Sequence, residues 1–321
     1  MVIESTFEKR CQNVEPPQEL SFMTASISTI FMLTNIPGNI LIFLAVVLDP
    51  NKNLRTPFNW LIINLSAADL IVGIIAEPFF VYFHIKEGLG KKEVLEERYA
   101  GGIFYFISCT ASILSLTSLA VERYLAVRRP STYRSSAPAR GLMIWLISAS
   151  LPNIYLLVGF GAYAFIFANT SLLVAVIIIC ITYTLMKKKL RSRSLKRKAT
   201  PFASNDGNEI SQIDDFSTFN TNCIAAKKQL LEDKITEMFL IVLIALLCCY
   251  GPSTAMIYFA NFCEDCSCKI LHWFCDIHIL FALMNSSVNF FCYALRSSRF
   301  RSAFAKLLRI NHQPDDGHRK N

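Results

Sequence analysis

Seven long apolar blocks constrain this chain more than any other feature. They cover 21–48, 58–84, 100–127, 139–160, 163–186, 236–262 and 270–295, and crossing the hydrocarbon core of a bilayer takes about 20 mostly apolar residues. In lipid every backbone N–H and C=O must find its partner inside the protein, so blocks of this length read as helices. Strands of a membrane barrel would be about half as long. Composition agrees: charged residues make up 17% of the 321 positions, against roughly a quarter in soluble domains. The expected architecture is an all-α membrane protein, a seven-transmembrane helix bundle. Disordered, collagen-like and small disulfide-scaffold chains are excluded.

Lys and Arg give the expected orientation, because cationic loops stay on the cytosolic side. Of the 32, 25 fall in the segment after the first block, around the end of the third, between the fifth and sixth, and after the seventh. The other side holds few, mixed with acids such as Glu93, Glu96 and Glu97. Residues 1–20 therefore read as an extracellular terminus and 296–321 as a cytosolic tail, with the bundle at 21–295. The terminus carries Glu4, Glu8, Lys9, Arg10, Glu15 and Glu19, so no cleavable signal sequence is expected. The polar stretch 187–233 reads as a largely disordered cytosolic loop. The net charge of +8 is better explained by anionic inner-leaflet lipid than by nucleic acid.

Ionisable groups at mid-depth are expensive and therefore candidates for function. Asp69 lies roughly 16 Å in from the cytosolic start of its block, at 1.5 Å per residue. Ser112, Asn285 with Ser286, and Asn289 one turn closer to the cytosol converge on the same level. A carboxylate, hydroxyls and carboxamides at one height can join helices as a polar cluster, or supply the oxygen ligands of a small hard cation. Joining helices needs no Asp, which favours the ion-linked or proton-linked reading. At the cytosolic end of the third block, Glu122, Arg123 and Tyr124 form an acid, a base and an aromatic, and Glu232 enters the sixth block. An Arg123–Glu232 pair made in one helix packing and lost in another would be a bistable element.

These residues, in order and spacing, resemble the rhodopsin-like family of G protein-coupled receptors. The resemblance rests on Gly38 and Asn39, the run Leu65 to Asp69, the run Ser115 to Tyr124, Trp145, Tyr183, Cys249-Tyr250-Gly251-Pro252, and Asn289 to Tyr293. It implies coupling to a heterotrimeric G protein through Glu122, Arg123, Tyr124, Tyr183 and Tyr293, with Glu232 restraining Arg123 at rest. It also implies a sodium pocket of Asn39, Asp69, Ser112, Asn285, Ser286 and Asn289, the ion resting on Asp69 and Ser112 without any other cofactor. Tyr250 and Pro252 would form the activation switch. Phe300 and Phe304, at i, i+4, would seat an amphipathic eighth helix at 297–309 on the inner leaflet. Arrestin, receptor kinases and membrane lipid complete the implied partners. Thr200, after a basic run, is the expected phosphorylation site.

Several positions depart from the family pattern. Tyr250 stands for the usual Trp, Phe290 and Ala175 for Pro in the seventh and fifth helices, and Arg98 for the third-helix Cys. With a short second outer loop, these departures resemble the melanocortin receptors and their relatives for adenosine, cannabinoids and lysolipids. That resemblance implies the disulfides Cys263–Cys266 and Cys11–Cys268. The ligand stays open among small molecule, lipid and peptide. An amine receptor would need an Asp where Tyr105 stands, and an opsin would need a Lys where Leu283 stands. Glu77, Tyr105, Ser108, Tyr258, Asp276 and His278 either line an outer pocket or sit at helix ends by the interface. A secondary transporter is the alternative, but inverted repeats and broken helices are not evident. No catalytic motif marks an enzyme.

Overall fold

The computed structural model describes residues 11, 14–91, 95–128, 137–151, 160–199, 241 and 244–308. Their regular structure is helical throughout. Helix α1 is Gln18–Leu48 and ends where Asp49 turns left-handed, φ 43°. Helix α2 runs as Pro57–Ile71, a π-helical turn Val72–Ala76, and Glu77–Gly88. Its start is well specified: the Thr56 hydroxyl accepts the N–H of Asn59, and Pro57 fills the first position, where no N–H is needed. Helices α3 (Leu95–Arg128) and α4 (Ala137–Ser150) follow, then α5 as Phe160–Phe167, a π turn Ala168–Leu172, and Leu173–Ala199. Helices α6 (Ile244–Phe262), α7 (Cys268–Arg296) and α8 (Ser298–Leu307) complete the described part.

Helices α1, α2, α3, α6 and α7 are long and apolar enough to cross a membrane, and α4 contributes the shorter apolar stretch Ala139–Ser150. The side chains are arranged as a membrane requires. Ile30, Leu33, Trp60, Ile74, Leu142, Leu146, Ile177 and Ile181 point outward, while Asn35, Asn39, Asp69, Glu77, Ser112 and Asn289 are buried. Lipid accepts an apolar exterior, so the polar groups gather where the protein itself can satisfy them.

Phe290, in place of Pro, leaves α7 an unbroken helix and changes its neighbours. A Cβ on Gly38 of α1 would stand 2.7 Å from Phe290 Cγ and 2.9 Å from its Cβ. The same ring lies 5.7 Å from that of Phe304 in α8, so one aromatic joins α1, α7 and α8. Helix α8 is capped by the Ser297 hydroxyl, buries Phe300, Ala303 and Phe304, and turns Arg299, Arg301 and Lys306 outward. Helix α5 also lacks Pro, yet it widens at Ala168–Leu172. There the Asn169 amide and Thr170 hydroxyl donate to the carbonyls of Phe165 and Ile166, four residues back.

One expectation is corrected. The basic run from Lys187 lies on the last turns of α5, which remains helical to Ala199. Its Lys, Arg, Leu and Ala are good helix formers, and charge alone is a poor sign of disorder in such a run. The remainder of the loop, with Thr200 and Glu232, lies outside the described residues. Both expected disulfides are formed. Cys11–Cys268 joins the amino-terminal segment to the start of α7, and Cys263–Cys266 closes the turn between α6 and α7.

Candidate functional site

A continuous buried polar column runs through the bundle, built on α1, α2, α3 and α7. At its centre Asn289 of α7 donates to Asp69 Oδ2 of α2 at 2.8 Å. The Ser112 and Ser286 hydroxyls lie beside the same carboxyl group, and the Asn285 amide approaches Ser112 Oγ at 3.5 Å. Asn39 donates to the Ser286 carbonyl at 3.2 Å and to Asn35 Oδ1 at 2.6 Å. Asp69 Oδ1 and Asn39 Oδ1 are buried acceptors that meet no hydrogen-bond donor among the described residues. The six residues expected at this level are thus brought together.

The column also extends further toward the disulfide end than the sequence reading allowed. Asn35 donates to the Asp69 carbonyl at 3.0 Å and to Glu77 Oε1 at 3.4 Å. The π turn explains how Glu77 reaches this place. In a regular helix eight residues leave two side chains about 80° apart. Here the Glu77 N–H bonds the Val72 carbonyl, five residues back, so one extra residue is taken up in the turn. Asp69 and Glu77 then stand in effect seven residues apart, within about 20° of each other. Gly73 is required at the same point: a Cβ there would meet Asn35 Nδ2 at 3.0 Å and Ile36 Cγ1 at 2.9 Å.

Toward the α8 end, Asn64 of α2 donates to Ser115 Oγ of α3 at 2.9 Å and accepts from the Trp145 indole of α4 at 2.7 Å. Glu122 is buried at the end of α3 and paired with Arg140 of α4. Its partner could not be read from local sequence, because Arg140 falls 18 residues later, on another helix. The guanidinium of Arg128 lies over the Tyr124 ring at 5.9 Å. The side chains of Arg123 and Tyr293, and Glu232 altogether, lie outside the described residues. Tyr183 packs against Met186 on α5.

A narrow cavity opens between α3, α5, α6 and α7. Tyr105, Phe106, Phe167, Tyr250, Ser253 and His278 are among its walls. Tyr250 is buried beside Cys109, two residues before Pro252 in α6. Of the six residues expected at an outer pocket, Tyr105 and His278 line this cavity and four are placed elsewhere. Glu77 belongs to the polar column. Ser108 bonds its own helix at the Phe104 carbonyl, Tyr258 bonds Asn169 of α5, and Asp276 bonds Thr24 of α1. Their depths were readable from sequence, but the face each presents depends on helix rotation.

The pattern of the family described as 7 transmembrane receptor (rhodopsin family) matches residues 38–161 and 157–293, most of the chain. The chain belongs to that family. Cannabinoid receptor 1 of Xenopus laevis is 25% identical to this receptor over 320 residues, 91% of the chain and 64% of that protein. Dopamine D2-like receptor of Drosophila melanogaster is 28% identical over 54% of the chain and 21% of its own length. 5-hydroxytryptamine receptor 7 of Xenopus laevis is 34% identical over 38% of the chain and 29% of its own length. The receptor therefore spans less than two thirds of each of these relatives. The cavity falls within its matched residues, and so does the polar column apart from Asn35.

Proposed function

We propose that this receptor sits in the plasma membrane with its disulfide end outside and its α8 end inside, binds an extracellular ligand, and activates a heterotrimeric G protein. The carrying observation is the Asp69–Asn289 bond, which ties α2 to α7 in the middle of the bundle with Asn35, Asn39, Ser112 and Asn285 around it. A ligand that favours one packing over another shifts the populations of the two. A buried network of this kind has few satisfied arrangements, so it divides the bundle into discrete states. The asymmetric placement of Lys and Arg supports the orientation.

The residues around Asp69 suit a sodium ion. Among the described residues Asp69 Oδ1 meets no hydrogen-bond donor, and the Ser112 and Ser286 hydroxyls lie beside the carboxyl group. Sodium there would supply the counter-charge a buried carboxylate lacks. Arg123 is assigned to engage the G protein, and arrestin, receptor kinases and lipid remain partners of the same proposal. For the ligand, the cavity presents Tyr, Ser, Thr and His hydrogen-bonding groups on an otherwise apolar wall, with no Asp, Glu, Lys or Arg among the described residues of its lining. Tyr105 leaves a cationic amine without a counter-ion, so an uncharged, mostly apolar ligand fits better than an amine.

The experiment is guanine-nucleotide exchange on a panel of G proteins by the receptor in reconstituted membranes, with and without a library of uncharged ligands. Exchange that rises in the parent and falls to background in Arg123→Ala is expected. Equal exchange in both, across the panel and the library, would contradict the proposal.

A further inference from the structure

We propose that the disulfide end of the bundle holds a proton-binding site, shared between His84 of α2 and Asp276 of α7 and gripped by Thr24 of α1. His84 Nδ1 lies 2.7 Å from the Phe80 carbonyl oxygen. A carbonyl only accepts, so this nitrogen carries a hydrogen. His84 Nε2 lies 3.4 Å from Asp276 Oδ2. A neutral imidazole with its hydrogen on Nδ1 would turn a lone pair toward an ionised carboxylate, two acceptors facing each other around a ring that is 3% exposed. One proton resolves this conflict. On Nε2 it makes an imidazolium–carboxylate pair, and on Oδ2 it makes a neutral hydrogen bond. In both forms the proton is held between α2 and α7.

The third helix joins at the same oxygen. The hydroxyl of Thr24, fully buried on α1, donates to Asp276 Oδ2 at 2.9 Å. Three helices thus meet on one carboxylate oxygen. On α2, Glu87 stands three residues after His84, and its Oε2 accepts from Ser21 Oγ of α1 at 2.7 Å. Among the described residues, α1 brings the Ser21 and Thr24 hydroxyls to this cluster, and α3 contributes Tyr105, whose ring meets that of Phe80 edge-on at 5.6 Å. On α7, His272 lies one turn before Asp276 and is engaged with the Val14 carbonyl at 2.9 Å. His278, two residues after Asp276, lines the cavity. Losing the proton breaks the α2–α7 link at the cavity's own helix, so acidity on this side sets how tightly the bundle closes there. A bound proton stabilises the closed end at low pH, and that stabilisation is lost as pH rises through the site's titration.

The test is carbon-13 NMR of the full chain in nanodiscs, with histidine labelled at Cε1, between pH 5 and 9, alongside the thermal unfolding midpoint. A signal missing in His84→Gln should release its proton about one pH unit lower in Asp276→Asn than in the parent, because the counter-charge is gone. Thr24→Val should shift it the opposite way, since the carboxylate loses a competing donor. The parent's midpoint should fall across the same pH range while that of His84→Gln does not. His272→Gln should leave both results intact. A His84 signal that is neutral throughout, or that titrates alike in the parent, Asp276→Asn and Thr24→Val, would overturn the proposal. Should Asp276→Asn fail to fold, the Thr24→Val shift alone decides.

Discussion

Two single residues carry consequences that neighbouring positions do not. Asp69 is a buried acid whose Oδ2 takes the Asn289 amide, while its Oδ1 takes no donor. Asp69→Asn keeps the shape and removes the charge. Any effect of sodium on ligand affinity should therefore disappear, measured as equal binding in sodium and choline salts; a salt-specific shift that persists would remove Asp69 from the ion's path. Gly38 matters for space. A methyl group there would press on Phe290 Cβ and Cγ, atoms close to the α7 backbone that cannot swing aside. Gly38→Ala should cost about 1–3 kcal/mol of stability by overpacking. The same change in a Phe290→Ala background should cost less, because the 2.7 Å approach to Cγ goes while the 2.9 Å approach to Cβ stays. Equal losses in the two backgrounds, by thermal unfolding, would show that the ring is not what limits Gly38.

At the scale of elements, the π turn of α2 decides which side chains meet. Because Val72–Ala76 takes up one extra residue, deleting lipid-facing Ile74 should return α2 to regular winding with Glu77 still toward Asn35. Inserting an alanine after Ile74 should rotate Glu77 away. That insertion leaves a buried carboxyl unpaired, at a cost of about 1–3 kcal/mol or more. Thermal unfolding of the two variants should rank the deletion as much the milder; the opposite ranking would refute the register argument. The turn after α1 offers a second case. Burial alone would raise the Asp49 titration, but the N–H groups of Leu54, Asn53 and Arg55, at 3.0, 2.9 and 3.2 Å, and the Arg55 charge outweigh it, so its carboxyl is held below the usual range. Asp49 therefore stabilises the fold above the ordinary carboxylate value near 3.9, and that contribution is lost as pH falls through the lower folded value. Asp49→Asn should lower the unfolding midpoint at pH 7, with the gap closing in acid. A gap that is independent of pH would contradict this.

For the whole molecule, the seven apolar blocks and the depth of Asp69, Ser112, Asn285 and Asn289 were legible in the sequence, because hydropathy and a 1.5 Å rise fix length and height. The rotation of each helix about its axis was not. Glu77 was read as an outer residue since nothing in Val72–Ala76 announces a π turn, and Asn35 was passed over although it stands four residues from Asn39. His84 was missed because its partners, Asp276 and Thr24, lie on distant helices. Both disulfide pairings followed from family likeness, which spacing alone could not choose among. In the proposed mechanism the Asp69–Asn289 link between α2 and α7 governs passage between two packings of the bundle. The most direct measurement is guanine-nucleotide exchange by Asp69→Asn, Asn289→Asp and the double exchange that swaps the two groups. Each single variant should lose exchange activity, and the swap should recover a substantial part of it. A swap no better than either single variant, with all three folded, would contradict it.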